Sequence, residues 1–331
     1  MFESQVSKSA LDVWLGESDV MASVRSCGRI ATVSLGDYVA TTERIAQERS
    51  CRSLGWRIGD ALSLPHLGDI GAAILAAKTL RTAMKRMCAF FELLQDSSQL
   101  SLEETDDHCF LVYRILDPDI WPRHQDAIFT LALKSALLRK LSNVSAKEIE
   151  IILETDDHQA AHDLERETGV TCIADGEFNA IKFPRRLLDL PIVSDGEVAS
   201  LPLPDLNSLL VAKRRSEPVC DKVRRLIYRD LGARPINQEI LAHELGLSCR
   251  TLRRQLAACE LSFQELLDQC RMRQAIHEIQ RGRATPITQL ALRLGYSEHS
   301  TFSRAFVRWN GVAPLAYLRH HSKPAPAHLV T

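Results

Sequence analysis

Apolar positions along the chain change their spacing twice, and each change marks a change of structure. The first 70 residues read as helical, and there and again from Thr79 apolar positions recur every three or four residues, as on a helix with one buried face. Asp37 to Ala46 reads as one short helix, and Leu54 to Leu62 as a helical stretch broken by its glycines. A stronger helix is expected to begin at Thr79, a side chain suited to N-capping. Leu80, Ala83, Met84, Met87, Phe91 and Leu94 follow it as a single apolar stripe. The Met and Phe content of that stripe suits a ligand pocket, but flexible Met also fills ordinary core gaps, and core is the expectation.

The spacing then shortens to the alternation of strands. Leu100 to Leu102 alternates, Cys109 to Tyr113 is a continuous β-prone run, Ile149, Ile151 and Ile152 mark another strand, and Phe178 to Phe183 alternates again. Between them Gln125 to Leu141 reads as a helix with Ile128, Leu131, Ala132, Ser135 and Leu138 on one face, and His158 to Thr168 as a shorter one. Residues 1–192 are therefore expected to form an α+β domain with an antiparallel or mixed sheet. From Val193 the texture changes. Ser194, Asp195, Gly196, Pro202, Pro204 and the basic run Lys213 to Arg215 mark a linker over 193–216, within which Leu206, Leu209, Leu210 and Val211 allow a short helix. From residue 217 to 320 the pattern is continuously helical. The tail, 321–331, has prolines and no periodicity, and is expected to be disordered.

Within this helical region a single motif occurs twice. Asn237 to Leu256 and Pro286 to Phe306 each hold an apolar-faced helix with a small residue (Ala242, Ala291), then a glycine (Gly246, Gly295) and then a serine able to cap the next helix (Ser248, Ser297). The glycine permits the left-handed backbone that ends a helix, and the alanine lets two helices cross closely. This is the pattern of a helix-turn-helix, and the two copies stand 49 positions apart. A long helix, Phe263 to Gln280, lies between them. An amphipathic helix with Val219, Val223, Leu226 and Ile227 precedes them. The fold class read from the sequence is thus an α+β N-terminal domain followed by an all-α DNA-binding domain with two helix-turn-helix units joined by a long helix.

Charge supports that division. The whole chain of 331 residues has a formal net charge of −1, which by itself argues against a nucleic-acid binder. Residues 1–200, however, hold 21 Lys+Arg and 31 Asp+Glu, a balance of −10. Residues 201–331 hold 20 and 11, a balance of +9. In the second helix of each repeat Leu252 with Leu256, and Phe302 with Phe306, are expected to point inward. That leaves Arg250, Arg253 and Arg254 exposed on the first, and His299, Ser300, Ser303 and Arg304 on the second. Arg offers a bidentate fork to guanine, and short polar side chains allow close approach to base edges or phosphates.

Other chemistry is sparse. The nine cysteines form no CxxC pair and read as reduced thiols used as small apolar residues, in keeping with a cytoplasmic protein. The N-terminus lacks a basic leader, and no run of about 18 apolar residues suggests a membrane span. Glu104 to His108 is echoed by Glu154 to His158, and His158 with His162 stands one helical turn apart, but no third metal ligand can be placed, so no metal site is expected. No nucleophile, zinc-hydrolase or phosphate-loop motif occurs in the front half. No catalytic residues and no cofactor are therefore assigned.

Residues 217–320 resemble the DNA-binding domain of AraC/XylS-type transcription regulators. The match runs through Ser248, Arg250, Leu252, Arg254 and Leu256, then Arg271 and Ala275, then Leu294 to Ser297 and Phe302 to Phe306. It ends in Arg308, Trp309, Gly311, Val312, Pro314, Tyr317 and Arg319. The resemblance implies two units entering successive major-groove segments. Base-reading positions then fall on Arg250, Arg253 and Arg254, and on His299, Ser300, Thr301, Ser303 and Arg304. Residues 30–192 are more loosely similar to the effector-binding and dimerisation domain of one subgroup, through Thr79, Leu80, Arg81 and Ala83, the strand-rich stretch 99–115, and Phe183, Leu188, Asp189 and Pro191. The resemblance implies double-stranded DNA and RNA polymerase as partners, a homodimer, a small-molecule effector of unknown identity, and a role as activator. Two alternatives stay open. One is an enzyme whose helix-turn-helix half is a targeting module, as in DNA-repair methyl-transfer proteins with a reactive cysteine. The other is a front half that only dimerises.

Overall fold

The computed structural model describes residues 5–7, 32–62, 64–142, 144–192, 203–281 and 285–321. The N-terminal stretch read for a leader, Cys27, the first residues of the linker and the tail from Ser322 lie outside the described residues. The described chain divides into two compact units: residues up to 216 apart from 116–119, and those four with the residues from 217 onward.

The first unit is built around one helix, α5 (His124–Ser142). It follows α1 (Leu35–Glu48), α2 (Leu54–Ala61), α3 (Gly68–Leu75) and α4 (Leu80–Phe90). Thr79 caps α4 by accepting a bond from the Thr82 amide, and Leu80, Ala83, Met84, Met87 and Phe91 are buried, so the expected stripe is core. The expected break at 54–62 does not occur. Leu54 to Ala61 is one continuous helix whose glycines face α5. A Cβ on Gly55 would lie 2.3 Å from the Gln125 carbonyl oxygen, and one on Gly59 would lie 2.3 Å from that of Phe129. The glycines are there because two backbones touch, not because the helix ends. Close crossing from α2 and packing by α1 and α4 bury α5 on nearly every side, including Asp126, Lys134 and Ser135.

Against this layer stands a mixed sheet of β3 (Ser98–Glu104), β4 (His108–Ile115), β5 (Glu150–Ile152), β6 (Thr171–Ile173) and β7 (Asn179–Pro184) in the order β3-β4-β7-β5-β6. β3 and β4 form a hairpin, Leu100 opposite Tyr113. β5 and β6 are parallel and joined by α6 (His158–Thr168), as a parallel pair requires a crossover. A further antiparallel pair, β1 (Gln5–Ser7) and β2 (Thr32–Ser34), corrects the all-helical reading of the first 70 residues. Three-residue strands are too short to show a period. The acidic echo has two unlike uses. Glu104 ends β3 and pairs with Arg81 and Arg185, whereas Glu154 is buried in a bidentate pair with Arg123. Among the described residues no three His, Cys, Asp or Glu side chains are grouped to hold a metal ion.

The unit ends in α7 (Leu203–Ser216), which lies inside the segment read as a linker. Its Leu206 and Leu210 join the first core. In the second unit α8 (Val219–Asp230), α9 (Gln238–Glu244), α10 (Cys249–Ala257), α11 (Phe263–Gln280), α12 (Ile287–Arg293), α13 (His299–Asn310) and α14 (Pro314–His321) make two small cores. Leu241, Leu252, Leu256, Leu266 and Cys270 belong to one, and Ala275, Leu290, Leu294, Phe302 and Phe306 to the other. α11 contributes to both, so it is the shared wall of two helix-turn-helix units. Among the described residues no helix is long and apolar enough to cross a membrane.

Candidate nucleic-acid interface

The two turns are closed by the same bonds. Gly246 has φ +67° and Gly295 φ +75°. The Leu247 amide donates to the Ala242 carbonyl at 2.8 Å and the Tyr296 amide to the Ala291 carbonyl at 2.9 Å, each five residues back. This is a left-handed closure, which gives partners to carbonyls that the helix end would otherwise leave unpaired. The starts of the second helices differ. Ser248 caps α10, its hydroxyl accepting from the Thr251 amide at 3.1 Å. Ser297 does not cap α13. That helix starts one residue later, with Glu298 at the cap position and no side-chain cap bond, which corrects the expectation from the repeat.

Leu252, Leu256, Phe302 and Phe306 are fully buried, so the faces of α10 and α13 are set as their spacing requires. Opposite them, Arg250, Arg253 and Arg254 are exposed on α10, and His299, Ser300, Thr301 and Arg304 on α13, while Ser303 is half-buried. Arg253 is held by Gln238 of α9 through a bond of 3.3 Å. Elsewhere in this unit most arginines are already engaged. Arg229 and Arg234 share Asp230 and Glu244, and Arg229 holds the Glu244 carboxyl below the usual carboxylate range. Arg293 pairs with Glu278 and Arg308 with Asp268. Among the described residues Arg250, Arg254 and Arg304 pair with no carboxylate. Their charge is directed to solvent, where an anionic polymer can take it.

The sequence marks Arg271 only as a family position. In the structure it fastens α11 to the second turn. Its Nε donates to the Leu294 carbonyl at 2.9 Å and its guanidinium to the Gly295 carbonyl at 3.1 Å, lying 4.5 Å over the Tyr296 ring. Cys88, Cys172, Cys220 and Cys270 run opposite to an activated nucleophile. Burial pushes Cys88, Cys172 and Cys270 up to about 12 and Cys220 to about 11.

Two helix-turn-helix units beside an α+β domain define a DNA-binding transcription regulator. Residues 27–192 match the arabinose-binding domain of AraC transcription regulators, and residues 241–320 a helix-turn-helix domain. The chain belongs to the AraC family of transcription regulators. It is 29% identical over 295 residues to the uncharacterized HTH-type transcriptional regulator Rv1395 of Mycobacterium tuberculosis, covering 86% of this chain and 84% of that one. It is 23% identical over 295 residues to the ornithine utilization regulator of Pseudomonas aeruginosa, covering 88% and 84%. The crystal structure of the transcriptional regulator CdpR from Pseudomonas aeruginosa aligns over 94% of this chain and 98% of its own, at 22% identity and a TM-score of 0.46. The enzymatic alternative finds no support in these likenesses.

Proposed function

We propose that this regulator reads DNA with α10 and α13 in successive major-groove segments, through Arg250, Arg253 and Arg254 and through His299, Ser300, Thr301, Ser303 and Arg304. The observation that carries this reading is the pairing pattern. Both helices bury an apolar stripe, and Arg250, Arg253, Arg254 and Arg304 on their exposed faces have no carboxylate partner among the described residues, unlike Arg308 near the end of α13, which Asp268 holds. The 18 residues of α11 give a spacer of roughly 27 Å, the right order for two helices meeting one DNA face within a turn of about 34 Å. The protein acts in the cytoplasm as a homodimer through residues 1–192, with 193–216 as the link to 217–320. Two copies place four helix-turn-helix units on repeated half-sites and multiply affinity by linkage. A small molecule bound by the first domain sets the DNA-binding state, and contact with RNA polymerase makes it an activator.

Selection and sequencing of bound genomic fragments defines the site, and footprinting then tests the assignment. Arg254→Ala is expected to lose about 1–3 kcal/mol at one base position while leaving others unchanged. An unchanged footprint with unchanged affinity removes Arg254 from the reading set.

A further inference from the structure

Among the described residues, the first unit holds a buried cation with no anion beside it. Lys134 of α5 is 2% exposed, and its ammonium lies 5.2 Å from the centre of the Phe91 ring. Among the described residues it makes no ion pair or hydrogen bond. Its titratable neighbour is Cys88, a thiol that burial keeps neutral, so no thiolate balances it. Burial lowers the lysine to about 8, so it remains charged at neutral pH. An isolated buried ammonium is expensive, and a ring face offsets only a fraction of that cost.

Lys134 also lines a cavity of about 160 Å³ whose other walls include Leu67, Met87, Leu133 and Leu137. Two further charged side chains reach it, Asp60 and Lys140, both exposed, and Asp60 is taken by Arg139. Cavities of about 150 Å³ lined by such side chains hold a molecule the size of benzene. One ammonium balances one negative charge. A dianionic phosphate would leave charge unpaired, and a neutral guest would leave the lysine as it is.

We propose that this cavity binds a small monocarboxylate with a compact apolar body, its carboxylate on Lys134. The proposal rests on the reading of the first domain as a sensor and supplies its ligand class. The position also offers a way for binding to be felt. Phe91 opens the short turn Phe91–Leu93, on which the end of α7 is fastened. Lys213 donates to the Glu92 carbonyl at 2.5 Å, and Arg214 pairs with the Glu92 carboxylate at 3.0 Å. The chain runs from there through two residues into α8.

Thermal melting of the full-length protein tests the site, with hexanoate and phenylacetate as probes and hexanamide as the uncharged control. The carboxylates are expected to raise the melting temperature progressively with concentration, and hexanamide to leave it unmoved. Lys134→Met is expected to fold, because it removes an uncompensated buried charge, and to lose the shift. Ala136→Phe keeps the lysine, fills the cavity and is expected to lose the shift as well. A wild-type melting temperature unmoved by millimolar carboxylate, or an equal shift in Lys134→Met, overturns the site. Because the readout is protein melting, it separates this site from the regulator reading: DNA binding intact with no carboxylate shift defeats only the site, whereas a Lys134-dependent shift in a protein that binds no DNA defeats only the regulator reading.

Discussion

Glu43 shows how a single carboxyl can be pulled two ways by the same helix. Its Oε1 accepts from the Gln125 amide at 2.7 Å, at the start of α5, where a negative charge is favoured. Burial outweighs this and raises the carboxyl to about 7. The folded state therefore binds the Glu43 proton more tightly than the unfolded chain, whose carboxyl titrates near 4.5. The resulting stabilisation is full below pH 4.5 and is lost as pH rises through about 7. Asp126, raised to about 6 by burial, acts in the same direction, while neighbouring His124, lowered by burial to about 4, acts in the opposite one. The whole-protein pH profile mixes these, so the single variant is the cleaner readout. Glu43→Gln keeps an acceptor for the Gln125 amide and cannot ionise. Urea unfolding at pH 5 and pH 8 is expected to show the variant gaining stability on wild type at the higher pH. A wild-type-to-variant difference that stays constant across that range would contradict the assignment.

At the scale of elements, what the sequence made legible was whatever has a local cause. The Thr79 cap, the α4 stripe, the paired turns at Gly246 and Gly295 and the inward Leu and Phe pairs each depend on residues a few positions apart. What it hid depends on distant neighbours. Nothing local tells that Gly55 and Gly59 lie against the α5 backbone, that Lys134 sits beneath Phe91, or that Arg271 reaches the carbonyls of the second turn. The candidate DNA-contacting face was legible because the helix period separates it from the core, and the anchoring of Arg253 on Gln238 was not. The helix crossing makes a prediction with two signs. Replacing glycine by alanine inside a helix gains up to about 1 kcal/mol from propensity. At Gly59 the added Cβ would lie 2.3 Å from a backbone oxygen, so α2 and α5 must separate, and overpacking of about 1–3 kcal/mol prevails. At Gly36 the added Cβ would meet only the Ser34 hydroxyl, at 3.7 Å. Denaturant titration should find Gly59→Ala clearly less stable than wild type, and Gly36→Ala no worse or better by about 0.5 kcal/mol. Equal, small effects at both would mean that the crossing is looser than its geometry.

At the scale of the whole molecule the charge division has a physical consequence. Residues 201–331 carry a balance of +9 and are drawn to any phosphate backbone, whatever its sequence. Residues 1–200 carry −10 and are repelled by it. Tethered to it, the acidic domain is expected to oppose non-specific DNA binding, and so to raise the ratio of specific to non-specific affinity. Ion screening sets how far this reaches, about 30 Å at 0.01 M salt but only about 10 Å at 0.1 M. Residues 201–331 alone are therefore expected to bind random-sequence DNA more tightly than the full chain at low salt, with the gap closing as salt rises. The proposed dimer would push in the other direction, since a linked second copy tightens binding. A tighter fragment at low salt thus cannot come from lost avidity, and fluorescence anisotropy across a salt series measures it directly. If the fragment bound random DNA no more tightly than the full chain even at 0.01 M salt, the acidic half would have no screening role and its charge would belong to domain solubility alone.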